Sequence, residues 1–204
     1  MLKEISLFLR SIFERQTPHI TGTRVYIRPP SRWDCKEWVA LRRESRSFLA
    51  PWEPSWPADA STSVAFRRRL HRFKSEWRYR TAYPFFIFEH EEGRLVGGIT
   101  LSNLRRGVAQ SVSVGYWTGA AYVRRGYMYD ALRLTVGYAF DELGFHRMEA
   151  ACLPHNAPSR RLLAKIGFQE EGLAREYLCI NGRWQDHISH ALLNTDPRPA
   201  PELP

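Results

Sequence analysis

The chain has 204 residues, 44% hydrophobic and 25% charged, with a formal net charge of +9 and a pI near 9.8. That is enough chain for one domain with a real core, and the composition excludes disordered and collagen-like classes. The charge favours a polyanionic partner, such as a phosphorylated cofactor, an acidic protein or nucleic acid, without choosing among them. Cys35, Cys152 and Cys179 are odd in number, far apart and in no C-x-x-C pair. They fit a reduced, cytoplasmic compartment rather than a disulfide framework or a metal site. No apolar run approaches the length of a membrane helix, and Lys3, Glu4, Arg10 and Glu14 interrupt any signal-peptide core at the start.

Ile5, Phe8, Leu9 and Ile12 share one helical face, so an amphipathic helix or arm is expected over 1–22, ahead of a domain at 23–194. Thr23 to Arg28 alternates as a first strand, with Val25 and Ile27 inward. Ser31 is the N-cap expected for a helix running to about Ser45. F-L-A-P-W-E-P-S-W-P follows, and its prolines predict an ordered loop without regular structure. Trp52 and Trp56 there either pack on the core or wall a substrate cleft. A second helix is expected over Ser61 to Tyr79, with Arg67, Arg68, Arg69, Arg72, Lys74 and Arg78 between its apolar positions. Tyr83–Phe88, Leu95–Leu101 and the strand after Gly107 read as an antiparallel meander.

The stretch from Gln110 to Leu143 organises the rest. Val112, Val114 and Tyr116 alternate with Ser111, Ser113 and Gly115, a strand signal. A loop holding Arg124, Arg125 and Gly126 leads into a helical pattern of Met128, Leu132, Val136, Ala139, Phe140 and Leu143, stopped by Gly144. A strand running through a basic turn into a helix N-terminus makes an anion site, because unpaired N–H groups and the helix dipole converge there. The competing account is an ordinary connection with two solvated arginines. Arg147 to Cys152 alternates as a further strand, and Asn156 is an N-cap for a short helix with Leu162, Leu163 and Ile166, closed by Gly167. Phe168–Ile180 and Arg183–Leu193 form a hairpin about Asn181-Gly182, a type I′ turn signal. Prolines at 197, 199, 201 and 204 mark a disordered tail over 195–204. The element order predicts a mixed α/β sheet with helices packed on it.

V-S-V-G-Y-W, R-R-G-Y-M-Y-D-A-L, D-E-L-G-F-H-R-M-E-A and H-N-A-P-S-R-R-L-L-A-K-I-G-F-Q-E-E-G occur in that order. Together they resemble the GNAT superfamily of acyl-CoA N-acyltransferases, and within it the ribosomal-protein alanine N-acetyltransferases of the RimJ/RimL kind. F-L-A-P-W-E-P at 48–54, L-S-N-L-R-R-G at 101–107 and Y-L-C-I-N-G-R-W-Q-D-H at 177–187 extend the resemblance over about Arg24 to Leu193. It implies a GNAT fold: a central, mostly antiparallel sheet, splayed at the acyl-CoA site, with helices on both faces. Acetyl-CoA would enter between Val112–Trp117 and Met148–Leu153. Val112, Val114 and Tyr116 would line it, its pyrophosphate would rest on Arg124, Arg125, Gly126, Tyr127 and Met128, and Asn156 would bond the pantetheine arm. The family loop reads Q/R-x-x-G-x-G/A, and only the final glycine survives here, as Gly126, with Ala121 and Arg124 at the other two positions. A Cβ at Arg124 predicts a backbone confined to φ below zero and a narrower approach.

Direct attack of an amine on a thioester needs a base, an oxyanion donor and a proton for the leaving thiolate. The resemblance implies a backbone N–H near Val114 as the donor and Ser159 beside the sulfur, since the family's usual tyrosine is replaced by Leu162 and Leu163. Glu176 is the first choice of base, Glu53 the second and Asp186 the third. Trp52, Glu53 and Asn103 would line the acceptor side. His187 and His190 are three apart on a strand and face opposite sides, so no metal pair is expected. The implied partner is a protein N-terminus, a ribosomal protein with N-terminal alanine first, with ribosome association and no membrane. Two alternatives stand beside it. One is acetylation of a small-molecule amine. The other is a ribosome- or RNA-binding protein with a degenerate acyltransferase site, using the Arg67–Arg78 basic face.

Overall fold

The computed structural model describes residues 18–199, so the expected helix over 1–16 lies outside it, as do residues 200–204. The strands are β1 (Ile20–Thr21), β2 (Val25–Arg28), β3 (Tyr83–Glu89), β4 (Leu95–Arg105), β5 (Ser111–Thr118), β6 (Arg147–Cys152), β7 (Gln169–Ile180) and β8 (Arg183–Leu193). The helices are α1 (Cys35–Glu44), α2 (Arg46–Leu49), α3 (Ser63–Tyr79), α4 (Tyr127–Gly137) and α5 (Ala157–Ile166). The strands form one sheet in the order β1-β2-β3-β4-β5-β6-β8-β7. Neighbours are antiparallel except β5 and β6, which are parallel.

Helices cover both faces. On one, Trp38 and Leu41 of α1 and Phe66, Leu70 and Phe73 of α3 pack on Phe86, Phe88 and Leu95. On the other, Ala131, Leu132 and Val136 of α4 and Leu163 and Ile166 of α5 pack on Phe85, Ile87, Val112, Val114 and Met148. Successive residues of β3 thus point to opposite cores, which is why that strand is apolar throughout rather than alternating. Ser31 and Asp34 form a reciprocal capping box, each side chain taking the other's backbone N–H, ahead of α1.

Two local expectations are corrected. The 48–57 stretch is not wholly irregular: Phe48 and Leu49 end α2, and Ala50–Trp52 make a 3₁₀ turn. Pro51 is tolerated because it stands in the first turn, where its missing N–H has no partner to lose. The helix after Gly126 is regular only to Gly137; Tyr138–Glu142 is a wider π turn. That turn sets Tyr138 edge-on to Tyr83 and Phe85, at 6.0 and 5.4 Å. Of the tail, residues up to Pro199 are described and partly seated: Arg198 stacks over Phe140 at 5.2 Å. Residues 20–21, assigned from sequence to the N-terminal arm, pair with β2 at the sheet edge.

One buried carboxylate fixes α4 to the sheet. Asp130 accepts the backbone N–H groups of Arg24 (2.7 Å) and Val25 (3.2 Å) and the Arg133 guanidinium (2.8 Å). Removing a carboxylate with these partners strands donors away from water. Asp130→Ala is expected to lower stability by about 3 kcal/mol. The check is a lower urea midpoint at unchanged m-value.

Candidate active site

The site is built on a gap. β5 and β6 pair only over Ser111–Ser113 with Arg147–Glu149. Beyond that, β5 stays bonded to β4 as far as Thr118, and β6 stays bonded to β8 as far as Cys152. The facing edges from Val114 and from Ala150 onward are not paired with each other. Backbone N–H and C=O groups on such edges need partners, and an amide-bearing chain sliding between the strands would supply them. Val112 and Val114 are buried on the α4 side, and Tyr116 follows on the same face.

Ser159, in the first turn of α5, stands across the gap from Tyr116, with the two hydroxyl oxygens 2.8 Å apart. Asn156 places it there: its side-chain oxygen accepts the Ser159 N–H at 3.2 Å and caps the helix. Cys152, the last residue of β6, presents its thiol to the same hydroxyl. Burial pushes that thiol up, and Ser159 pulls partly against it. Burial likewise pushes the Tyr116 phenol well above its ordinary value. Tyr116, Ser159 and Cys152 are therefore all neutral at physiological pH.

The basic loop leads from β5 into α4. Arg124 adopts φ 62°, which corrects the expectation of a negative φ: it takes the left-handed conformation that a glycine would take. A non-glycine residue there costs about 1–2 kcal/mol, and the backbone shape of the loop survives the side chain. Gly126 has φ 81° and begins α4 with no side chain capping the helix. The first N–H groups of α4 are thus open to an anion, and exposed Arg124 and Arg125 flank them. Gap, open helix N-terminus and basic rim fit a long ligand with an amide-bearing arm and a pyrophosphate.

The loop at Trp52–Trp56 is held by contacts that sequence alone did not reveal. Trp52 lies 5.5 Å from His155 in the β6–α5 loop, ring to ring. Glu53 receives two bonds from Arg42 (2.8 and 2.6 Å) and one from the Trp56 indole (2.9 Å). Arg42 is buried between the rings of Trp56 and Trp117, 3.9 and 4.9 Å away. The tip of the β7–β8 hairpin folds back onto this loop, where the Asn181 N–H donates to the Glu53 carbonyl at 2.9 Å. Asn181 and Gly182 have φ 45° and 78°, as a type I′ turn requires. A Trp-rich run beside an Arg-bearing helix was the signal available for Arg42.

The remaining expected residues fall as follows. Asn103, at φ 51°, donates to Ser113 Oγ at 3.3 Å, one residue before the strands part. Glu176 is exposed at φ 45° in a bulge between Ala174 and Leu178, its N–H held by Asp186 at 2.8 Å. His187 and His190 are buried, each bonded to the carbonyl two residues back. No group of metal-binding side chains occurs among the described residues, and no helix among them is long and apolar enough to cross a membrane.

The description "Acetyltransferase (GNAT) domain" matches residues 24–169. The chain belongs to the GNAT acetyltransferase family. It is 37% identical over 177 residues to "Probable N-acetyltransferase YjcK" of Bacillus subtilis, covering 87% of this chain and 98% of that one. It is 32% identical to the "[Ribosomal protein uS5]-alanine N-acetyltransferase" of Escherichia coli, covering 87% and 91%. Among solved structures, "Mycobacterium smegmatis RimJ in complex with CoA-disulfide" superposes with a TM-score of 0.83 at 30% identity, over 88% of each chain. This protein is thus an acetyltransferase, and acetyl-CoA is its cosubstrate.

Two outcomes are expected of this geometry. Gly126→Val places a β-branched residue at positive φ, with Arg24 already 3.4 Å from where its Cβ would stand. Acetyl-CoA affinity in calorimetry should fall at least tenfold, and the wild-type affinity should weaken as salt rises. Arg42→Ala unclamps the Trp52–Glu53 loop, so the acceptor KM should rise well beyond the acetyl-CoA KM in steady-state assays.

Proposed function

We propose that the acceptor is the N-terminal α-amine of a protein, a ribosomal protein with N-terminal alanine first, acetylated by direct attack in a ternary complex in the cytoplasm. The observation that carries this reading is the shape of the acceptor side. The Trp52–Glu53 loop reaches His155 just beyond the end of β6 and carries the folded-back hairpin tip, so these segments border the far end of the gap, where a chain end could approach. Likeness over most of both chains to an enzyme named for alanine acetylation of a ribosomal protein supports the same choice. Three free cysteines suit a reduced compartment.

In this proposal Val112, Val114 and Tyr116 line the acyl arm, with a backbone N–H near Val114 facing the developing oxyanion. Arg124 to Met128 hold the pyrophosphate, and Asn156 serves both as helix cap and as partner of the pantetheine arm. Ser159 stands at the sulfur. Trp52 and Asn103 border the acceptor. Glu53 has its carboxylate engaged by Arg42 and Trp56, so its role is to hold the loop. Glu176 is the base. A bulge that forces a glutamate into the left-handed region aims its side chain, and bulges of this kind recur beside active sites.

An α-amine has a pKa of about 7.7–8.0, so part of it is already neutral at pH 7. The base then contributes on the order of 10²-fold. Glu176→Gln should lower kcat by about that factor with acetyl-CoA affinity unchanged. Raising the pH should restore part of the rate as bulk deprotonation takes over. Full kcat at pH 7 would remove Glu176 from the mechanism. A peptide panel varying the first residue tests the acceptor: alanine-first peptides should lead, and turnover only of small amines would overturn the reading.

A further inference from the structure

The geometry points to Tyr116 as a positioning residue for Ser159, holding its hydroxyl so that the one free O–H is aimed into the gap at the acyl-bearing sulfur. The inference rests on the proposed placement of Ser159 beside that sulfur. A serine hydroxyl has one donor and two acceptor sites. Tyr116 lies at 2.8 Å, and the Cys152 thiol stands near the same hydroxyl. A phenol is a stronger donor than an aliphatic hydroxyl, so Tyr116 gives its proton to the shared bond and Ser159 accepts. With Tyr116 as donor, the serine's own O–H is the group left to give; the neutral Cys152 thiol beside it is a weak acceptor that the acyl-bearing sulfur would displace. Asn156 fixes the backbone from which it projects.

This arrangement stabilises a thiolate by a hydrogen bond and does not protonate it. As the N–C bond forms and the C–S bond breaks, the electron pair remains on sulfur and the amine's surplus proton passes to Glu176 or water. Ser159 holds the resulting thiolate through its O–H. A free thiol ionises near 8.5, far below a buried phenol or any serine, so proton transfer from this pair would run uphill. Tyr116 therefore acts through Ser159 and keeps its proton throughout. The charged groups that act on Cys152, Arg160 and Glu170, pair with each other at 2.8 Å.

The test uses the full chain and coenzyme A alone, so it needs no acceptor. The thiolate absorbance of bound coenzyme A is titrated in wild type, Tyr116→Phe, Ser159→Ala and the double variant. Wild type should hold the bound thiol pKa below that of free coenzyme A. Tyr116→Phe should raise it by about half a unit or more, and the double variant should match Ser159→Ala. In turnover, Tyr116→Phe should lower kcat roughly tenfold, with the acetyl-CoA KM changed less than about twofold. An unchanged thiol pKa in Tyr116→Phe, or losses that multiply in the double variant, would overturn the inference. If wild type binds no coenzyme A, the cofactor site itself falls. If only the acceptor is misassigned, the titration still gives its answer.

Discussion

The constraint on which the structure depends is the early parting of β5 and β6. Parallel strands normally continue to pair, because each unpaired N–H and C=O taken from water costs about as much as a lost hydrogen bond. Here pairing stops after three residues on each strand. Two features keep the strands apart. The loop after Cys152 turns into α5 under the Asn156 cap, so β6 ends where β5 continues. Tyr116 and Ser159 fill the space between with a hydroxyl pair that bridges the gap on one face of the sheet. The backbone edge of β5 is left available to a ligand, and the rest of the site is arranged along it.

Strain gathers round the same gap. Among the described residues six non-glycines have positive φ, and Asn103, Arg124, Glu176 and Asn181 belong to segments that the proposed function places around the gap. Such conformations cost about 1–3 kcal/mol each and persist only when neighbours over-determine them. The neighbours can be named. Ser113 takes the Asn103 amide, Asp186 takes the Glu176 N–H, and the Glu53 carbonyl takes the Asn181 N–H. Arg124 sits just before the glycine that opens α4, and α4 is anchored by Asp130.

Charge is divided between two tasks. Arg42 is buried against aromatic rings and neutralised by Glu53, so it organises the Trp52–Trp56 loop without adding to the surface field. Across the closed end of the gap, Arg105, Glu149, Arg147 and Glu171 link β4, β6 and β7 through ion pairs. Arg124 and Arg125 remain exposed at the mouth. Positive charge therefore reaches solvent beside the open N-terminus of α4, and its reach falls with ionic strength.

Much of this was legible in the chain. Alternation in β5 and β6, the Asn156 cap, the Asn181-Gly182 turn and the strand-to-helix run through Gly126 are local signals, set by side-chain period and backbone preference, and each appears where the sequence placed it. Their order was enough to indicate a mixed α/β sheet. Local rules misjudged Arg124, because a Cβ only disfavours positive φ, and a surrounding loop can impose it at a cost of a kcal or two. They also read Phe48–Trp52 as irregular where a short helix and a 3₁₀ turn form, and carried α4 too far, since packing of Tyr138 against Tyr83 and Phe85 selects the wider turn. What only the tertiary structure decided is long-range pairing: Tyr116 with Ser159, Arg42 with Glu53 and three tryptophans, and the hairpin tip with the Glu53 loop. The sequence carries no period that joins residues 43 or 128 positions apart. Those contacts exist because the sheet order brings β5, α5 and the β7–β8 hairpin to the two sides of one gap.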